Sequence, residues 1–376
     1  MHQMRLSGFR TFLILPLLFS LITPALAQTA SSDAAPAPKE KKKTGVTGAA
    51  LPVLRYSPET RWAFGAGGVI RFHLGQNKEQ TRPSAVWVHI TYTEDNQLAI
   101  GISPDFWLSN DQIHLTFSTG YSRFPTVFFG IGNNVSSSVY ENYTPERVRF
   151  DTSVNKTFFS HLYFGIGYHI DSTTIKDVQP GGQLAQGTVV GSQGGVISGL
   201  GIVATWDTRD NIVYPHRGVM FSLVSSFYSS IFLSDYSYIS LSTDLRSYIP
   251  VFSSHILAVQ AFFRTNIGND VPFYALCQLG GSSALRGTFA GLYRDKTMYL
   301  LQAEYRMPVW WRFGAVAFAG LGEVCSGPGD FHWGYLKYSL GVGARFRLDR
   351  EGMNLRLDSA WGEDYHAFYL TIQEAF

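Results

Sequence analysis

Side chains alternate between apolar and polar along much of this chain, and that two-residue period excludes most folds. From Tyr238 to Ile249, the apolar-side positions Ile239, Leu241, Thr243, Leu245 and Ile249 interleave with Ser240, Ser242, Asp244 and Arg246. Leu257, Val259, Ala261 and Phe263 oppose Gln260, Arg264 and Asn266, and Tyr299, Leu301, Ala303, Tyr305 and Met307 oppose Gln302, Glu304 and Arg306. The same split recurs over 338–348 and 354–361. Successive side chains of a strand point to opposite faces, so each segment reads as a strand with one apolar and one polar face. No sustained helical period competes with it, and after residue 48 no apolar run reaches the roughly 20 residues a spanning helix needs. The chain is all-β.

Alternation alone does not say which face looks inward. In a secreted sandwich the apolar face is covered by a second sheet, whereas in an outer-membrane barrel it meets lipid and the polar face lines the lumen. Composition favours the barrel: 15% of residues are charged and another 15% are aromatic, against about 25% charged in an ordinary soluble domain. The chain also carries an export address. Arg5 and Arg10 precede the apolar run Phe12 to Ile22, and Ala25-Leu26-Ala27 is a small-x-small cleavage site, so 1–27 reads as a signal peptide cut after Ala27. No Cys follows for lipid attachment. Residues 28–48, with Ala34-Ala35-Pro36-Ala37-Pro38 and the run Lys39 to Lys43, read as a disordered periplasmic linker. The barrel then occupies 49–376 and ends on a strand whose Phe368, Leu370, Ile372 and Phe376 share a face, a C-terminal barrel signal. A net charge of +2 leaves no basic surplus for nucleic acid.

Sixteen candidate strands fit the barrel: 49–56, 62–74, 84–93, 97–108, 112–123, 147–158, 162–171, 196–207, 219–229, 236–250, 256–266, 297–309, 315–324, 336–348, 354–361 and 367–376. The three longest connections, 124–146, 172–195 and 267–296, all follow odd-numbered strands. Long loops on one side and short turns on the other are how transmembrane barrels are built, so those loops are expected outside the cell.

The longest loop carries a motif. Gly280-Gly281-Ser282-Ser283-Ala284-Leu285-Arg286-Gly287-Thr288-Phe289 runs on to Tyr293-Arg294-Asp295 and then Glu304-Tyr305-Arg306-Met307-Pro308. This resembles the sixth extracellular loop and following strand of the BamA/TamA superfamily of bacterial surface antigens. Trp206-Asp207-Thr208-Arg209-Asp210 with Pro215 and Gly218 resembles that family's Asp-x-Arg-Asp turn. Tyr56-Ser57-Pro58-Glu59-Thr60 and Arg356-Leu357-Asp358 are similar to short members as well.

The resemblance implies that the loop between strands 11 and 12 folds inward and that Leu285, Arg286, Gly287 and Phe289 form a lumen motif. Thr288 stands where the family has an aromatic, and Phe289 follows one place later. The arginine of the motif meets acids on the wall. Glu304 matches one of them; the other belongs to a Phe-x-Asp-x-Gly pattern, and Phe318-Ala319-Gly320-Leu321-Gly322 has Gly there, so the latch either rests on one carboxylate or borrows Glu323. An arginine inside a lumen needs a carboxylate to offset its desolvation, which argues for the pair on physical grounds too.

By the same resemblance the function is outer-membrane biogenesis or macromolecule transport. The 28–48 segment has no room for the family's client-capturing POTRA domains, so a periplasmic or barrel-assembly machinery partner is expected alongside outer-membrane lipid and lipopolysaccharide. A passive porin-like channel, filtered by Asp244, Arg246, Arg264, Arg345, Arg347 and Arg356, is the alternative. A structural or adhesive surface barrel is a third. Cys277 and Cys325 both fall on the outer side in an oxidising compartment, which makes a disulfide between them possible; it requires their Cα atoms within roughly 7 Å. No metal site, cofactor or enzyme motif is found. His169 and Asp171 share a strand face and read as polar lumen residues rather than a catalytic dyad.

Overall fold

The computed structural model describes residues 46–74, 83–108, 112–159, 161–252, 254–348, 352–363 and 365–376. The expected signal peptide and most of the expected linker lie outside the described residues. The linker boundary shifts slightly, because Thr47 and Gly48 already pair with β2.

Sixteen strands form the wall. They are β1 (Thr47–Ser57), β2 (Arg61–Phe72), β3 (Ser84–Thr93), β4 (Leu98–Leu108), β5 (Ile113–Arg123), β6 (Glu141–Phe159), β7 (Leu162–Lys176) and β8 (Gly194–Asp207). The circuit continues with β9 (Gly218–Tyr228), β10 (Tyr238–Pro250), β11 (Ile256–Ile267), β12 (Thr297–Trp310), β13 (Phe313–Cys325), β14 (Lys337–Arg347), β15 (Asn354–Gly362) and β16 (His366–Ile372). Each pairs antiparallel with its neighbours, and β16 returns to β1. The closing seam is narrow: Tyr56 opposite Leu370 is its one paired position, whereas every residue of β1 from Thr47 to Ser57 has a partner in β2.

The alternation sets the faces. Along β12, Met298, Leu300, Gln302, Glu304 and Arg306 are buried inside, while Leu301 is exposed outside. Phe64, Ile90, Ile166, Ile202 and Leu340 are likewise exposed, as a lipid-facing surface requires. This is a soluble fold inverted: charge inside, apolar residues out. A charged residue on the outer face at bilayer mid-depth would cost about 2–4 kcal/mol.

Spanning takes about 9–11 residues, and β6 with its 19 residues rises well beyond that. Its upper end supports a dome. Phe273, from the loop after β11, packs edge-on against Phe128 at 5.3 Å and Tyr143 at 5.4 Å. Leu184, Ile197, Tyr228 and Tyr238 belong to the same cluster. Gly132 of the β5–β6 loop donates to Arg294 O at 2.8 Å, joining two of the three long loops. Burying these aromatics offsets the entropy of ordering the loops; each ring pair contributes about 0.5–1.5 kcal/mol beyond its buried area.

The chain end departs from expectation. Phe368 is exposed and Leu370 and Ile372 lie on the same outward face, but Phe376 does not continue it. Gln373 adopts φ +74°, which breaks the strand and turns the last residues into the lumen. There Phe376 is buried with Tyr248, Ile256 and Ala258.

Candidate functional site

The loop after β11 enters and leaves through a two-residue ladder, with Cys277 opposite Asp295 and Gln278 opposite Arg294. Between these it doubles back: Gly280 N donates to Ala284 O at 2.8 Å and Gly281 N to Thr288 O at 3.0 Å. The turn forces Leu285 into a left-handed backbone at φ +58°, an uncommon state for a side-chain-bearing residue. Burial compensates. Leu285 is fully enclosed with Leu279, Leu292 and Leu300.

Gly287 must be glycine. Its φ is +93°, and a Cβ there would lie 2.9 Å from Gly362 N and from Trp361 C. The close approach lets Gly287 N donate to the Tyr369 hydroxyl at 3.1 Å.

Arg286 therefore points into the wall. Its side chain is 1% exposed, with Nη2 2.8 Å from Glu304 Oε2 and Nη1 2.6 Å from Asp358 Oδ2. Its guanidinium lies 3.4 Å from the Phe318 ring centroid. The carboxylates are shared onward: Arg306 Nε donates to Glu304 Oε1 at 2.9 Å, and Arg345 Nη1 to Asp358 Oδ1 at 2.6 Å. Arg345 Nε reaches Glu374 Oε2 at 2.7 Å. The tip's main chain is gripped as well. Arg356 Nη2 donates to Ser282 O at 2.7 Å, Gln302 Nε2 to Ser283 O at 2.8 Å, and Ala290 N to Glu59 Oε1 at 2.9 Å.

Four guanidiniums face three carboxylates in a water-poor space. Such a network stabilises little relative to an apolar core, yet removing one member leaves a buried charge unpaired, at a cost of about 3–5 kcal/mol. Its value lies in direction: bidentate contacts fix where the loop tip sits. Burial raises the carboxyl of Glu59, in the β1–β2 turn, well above the usual carboxylate range.

Glu323 is not part of the latch. It lies opposite Tyr299 on β12, on the face away from Glu304 and Phe318, and both its oxygens accept the His332 amide at 3.1 Å. The second acid is Asp358, on the polar face of β15. Gly320 also has a reason: a Cβ there would meet Leu285 Cδ1 at 3.2 Å, so the residue is small where Leu285 docks. Phe289 packs edge-on against Phe129 at 5.0 Å and lies 5.7 Å from Tyr365, which ties the tip to the β5–β6 loop.

The disulfide that the sequence allows is not formed. Cys277 and Cys325 are separate buried thiols. Cys277 Sγ turns to Lys296 O at 3.2 Å and Cys325 Sγ to Gly327 O at 3.2 Å, so each is committed to a different main-chain acceptor. Burial pushes the Cys277 thiol up to about 11.

At the other end of the barrel the β8–β9 turn is held by its own side chains. Arg209 grips Asp207 through Nε at 2.9 Å and Nη2 at 2.7 Å. Asp210 Oδ1 accepts from His216 N at 2.9 Å, Pro215 is buried, and Gly218 sits at φ +110° where a Cβ would strike Thr208 O at 2.5 Å. Next to it, Arg306 donates to Phe376 O at 3.0 Å and faces the Tyr214 ring at 5.4 Å. His169 bonds Asp151 at 2.5 Å rather than Asp171, whose carboxylate takes Thr173 and Arg149. Of the charges that would line an open filter, Arg246 is bound to Asp244 at 2.6 Å, and Arg345 and Arg356 belong to the latch.

Three comparisons bear on these features. The chain superposes on BamA from Haemophilus ducreyi lacking POTRA domains 1–3 with a TM-score of 0.62 at 12% identity, covering 87% of this chain and 70% of that one. CdiB from Acinetobacter baumannii gives 0.57 at 11% identity over 87% of this chain and 59% of that one. CdiB from Escherichia coli gives 0.56 at 11% over 87% and 62%. At such identities the likeness shows the fold. No curated protein sequence matches. The Omp85 superfamily domain model matches residues 63–376, nearly the whole barrel, and with it the chain belongs to the Omp85 superfamily.

Proposed function

We propose that this barrel serves outer-membrane biogenesis or the transport of a macromolecule, with the loop 268–296 as a plug that the Arg286 latch holds in the lumen. Omp85 barrels reside in the bacterial outer membrane, and in this reading the three long loops lie outside the cell and the β8–β9 turn in the periplasm. The reading includes no catalytic step. It includes an export signal at 1–27 cut after Ala27, a 28–46 tether, and a separate partner for client capture. Outer-membrane lipid and lipopolysaccharide surround the wall.

One observation carries this reading: the loop tip is bound to β12 and β15 by a completely buried, shared ion network. A passive filter would need an open lumen lined by free charge. The test is single-channel conductance of the mature barrel in a planar bilayer beside Arg286→Ala. A nearly closed pore that opens or flickers when Arg286 is removed supports the plug. A large, steady conductance that the substitution leaves unchanged overturns it in favour of the porin.

A further inference from the structure

The two halves of the lumen treat arginine differently. On β12, β14 and β15 every latch guanidinium reaches a carboxylate or a main-chain oxygen. On β1–β3, no Asp or Glu occurs in any strand, yet the lumen-facing positions include Arg55, Arg71 and His89. Among the described residues Arg55 and Arg71 meet no carboxylate, and both are exposed although they face the interior. Arg71 lies 5.6 Å from the ring of Trp87, also exposed within the lumen.

The register orders these groups. Arg71 stands opposite Thr47, His89 opposite Gly67 and so at the level of residue 51, and Arg55 four residues further on. At about 3.3 Å per residue, the rungs are about 13 Å apart along the strand direction and Arg71 and Arg55 about 26 Å. No single phosphate bridges the ends of that series. At the middle rung Gly67 adds no side chain of its own, and a Cβ there would lie 3.8 Å from Val53 Cγ2.

We propose that the β1–β3 wall is a cationic track for an extended acidic polypeptide segment passing along the lumen, which deepens and rests on the transport reading above. An extended peptide rises by the same step per residue as the wall strands, so carboxylates four residues apart on one of its faces meet successive rungs. Guanidiniums bind carboxylates in a directional fork, and a lumen with low-dielectric walls strengthens the attraction. The acids on β4 and β7 are already engaged. Asp105 on β4 holds His114 at 2.7 Å, and Asp171 on β7 holds Arg149 at 3.4 Å.

The experiment is fluorescence anisotropy of labelled deca-glutamate and deca-lysine with the mature barrel in nanodiscs, across a salt series. Deca-glutamate is expected to bind with an affinity that falls as salt rises, and deca-lysine is expected not to bind. Arg55→Ala/Arg71→Ala should weaken deca-glutamate about tenfold or more, while Arg55→Lys/Arg71→Lys restores most of the affinity. Both positions are exposed to the lumen, and heat-modifiable migration on gels checks that the variants fold. Equal binding of deca-lysine, or undiminished deca-glutamate binding by the alanine pair, overturns the track. Tighter binding of polygalacturonate than of deca-glutamate overturns the polypeptide assignment. The outcomes separate the two readings, because this assay scores wall binding whatever the plug does, whereas the conductance test scores the plug whatever the wall binds.

Discussion

Arg286 and Asp358, separated by 72 residues in sequence, meet at 2.6 Å with both side chains almost wholly buried. Asp358 also holds Arg345 and approaches Arg356, so the loop tip docks onto an acid that the wall has already oriented. Arg286→Ala should lower barrel stability by about 3–5 kcal/mol, because Glu304 and Asp358 lose a shared partner. A double-mutant cycle with Asp358→Ala, followed by urea unfolding in micelles, should show coupling of at least about 0.5 kcal/mol. Additive losses would mean the contact contributes nothing.

Gly320 and Leu285 make a second, independent pair. Gly320→Asp introduces a side chain into the space that Leu285 Cδ1 fills, and should loosen the tip. Limited proteolysis within the 268–296 loop should then rise. Combining it with Leu285→Ala should bring cleavage down again, since the smaller residue vacates the space.

The pH dependence follows from Glu59. Its folded carboxyl is raised well above the usual range by burial, so the folded state binds the proton more tightly than the unfolded chain. Its stabilising proton is fully present below the unfolded value near about 4.3 and is lost as pH rises through the folded one, so stability falls across that window. Glu59→Gln should flatten the difference while keeping an oxygen to accept the Ala290 amide. Unfolding midpoints for the two proteins at pH 4 to 8 check it; parallel curves would contradict the sign.

Neither cysteine should react in the folded barrel. Cys277 is buried with its thiol raised to about 11, and Cys325 is buried at the end of β13. Maleimide should label both only after unfolding, and omitting reductant should not change migration on gels. Rapid labelling of the native protein would show an opened loop base.

Much of the architecture was legible because a strand's two faces repeat every two residues, so an uninterrupted wall such as β10 or β12 declares its register and its faces. Glu304 was legible for the same reason, sitting on the polar face just past the loop. Asp358 stood on an equally plain polar face, but its pairing depends on how a 29-residue loop folds through space, which no local period encodes. The position of Glu323 could have been read: it differs from Phe318 by an odd number of residues, and in an unbroken strand that puts it on the other face. Phe376 was misplaced because the alternation was carried through Gln373, where a left-handed backbone ends the strand. The pairing of two cysteines depends on side-chain direction, which spacing alone does not give.

The order of residues around the latch has a consequence for biogenesis. Arg286 is synthesised and exported before β14, β15 and the Glu374 segment that complete its site. A barrel arrested before its last strands would therefore offer Arg286 only Glu304, without Asp358 to complete the fork, and its loop tip would be held by half the latch. Docking becomes a late checkpoint, passed once β15 is in register, and the same contact that plugs the finished pore reports that its construction is complete.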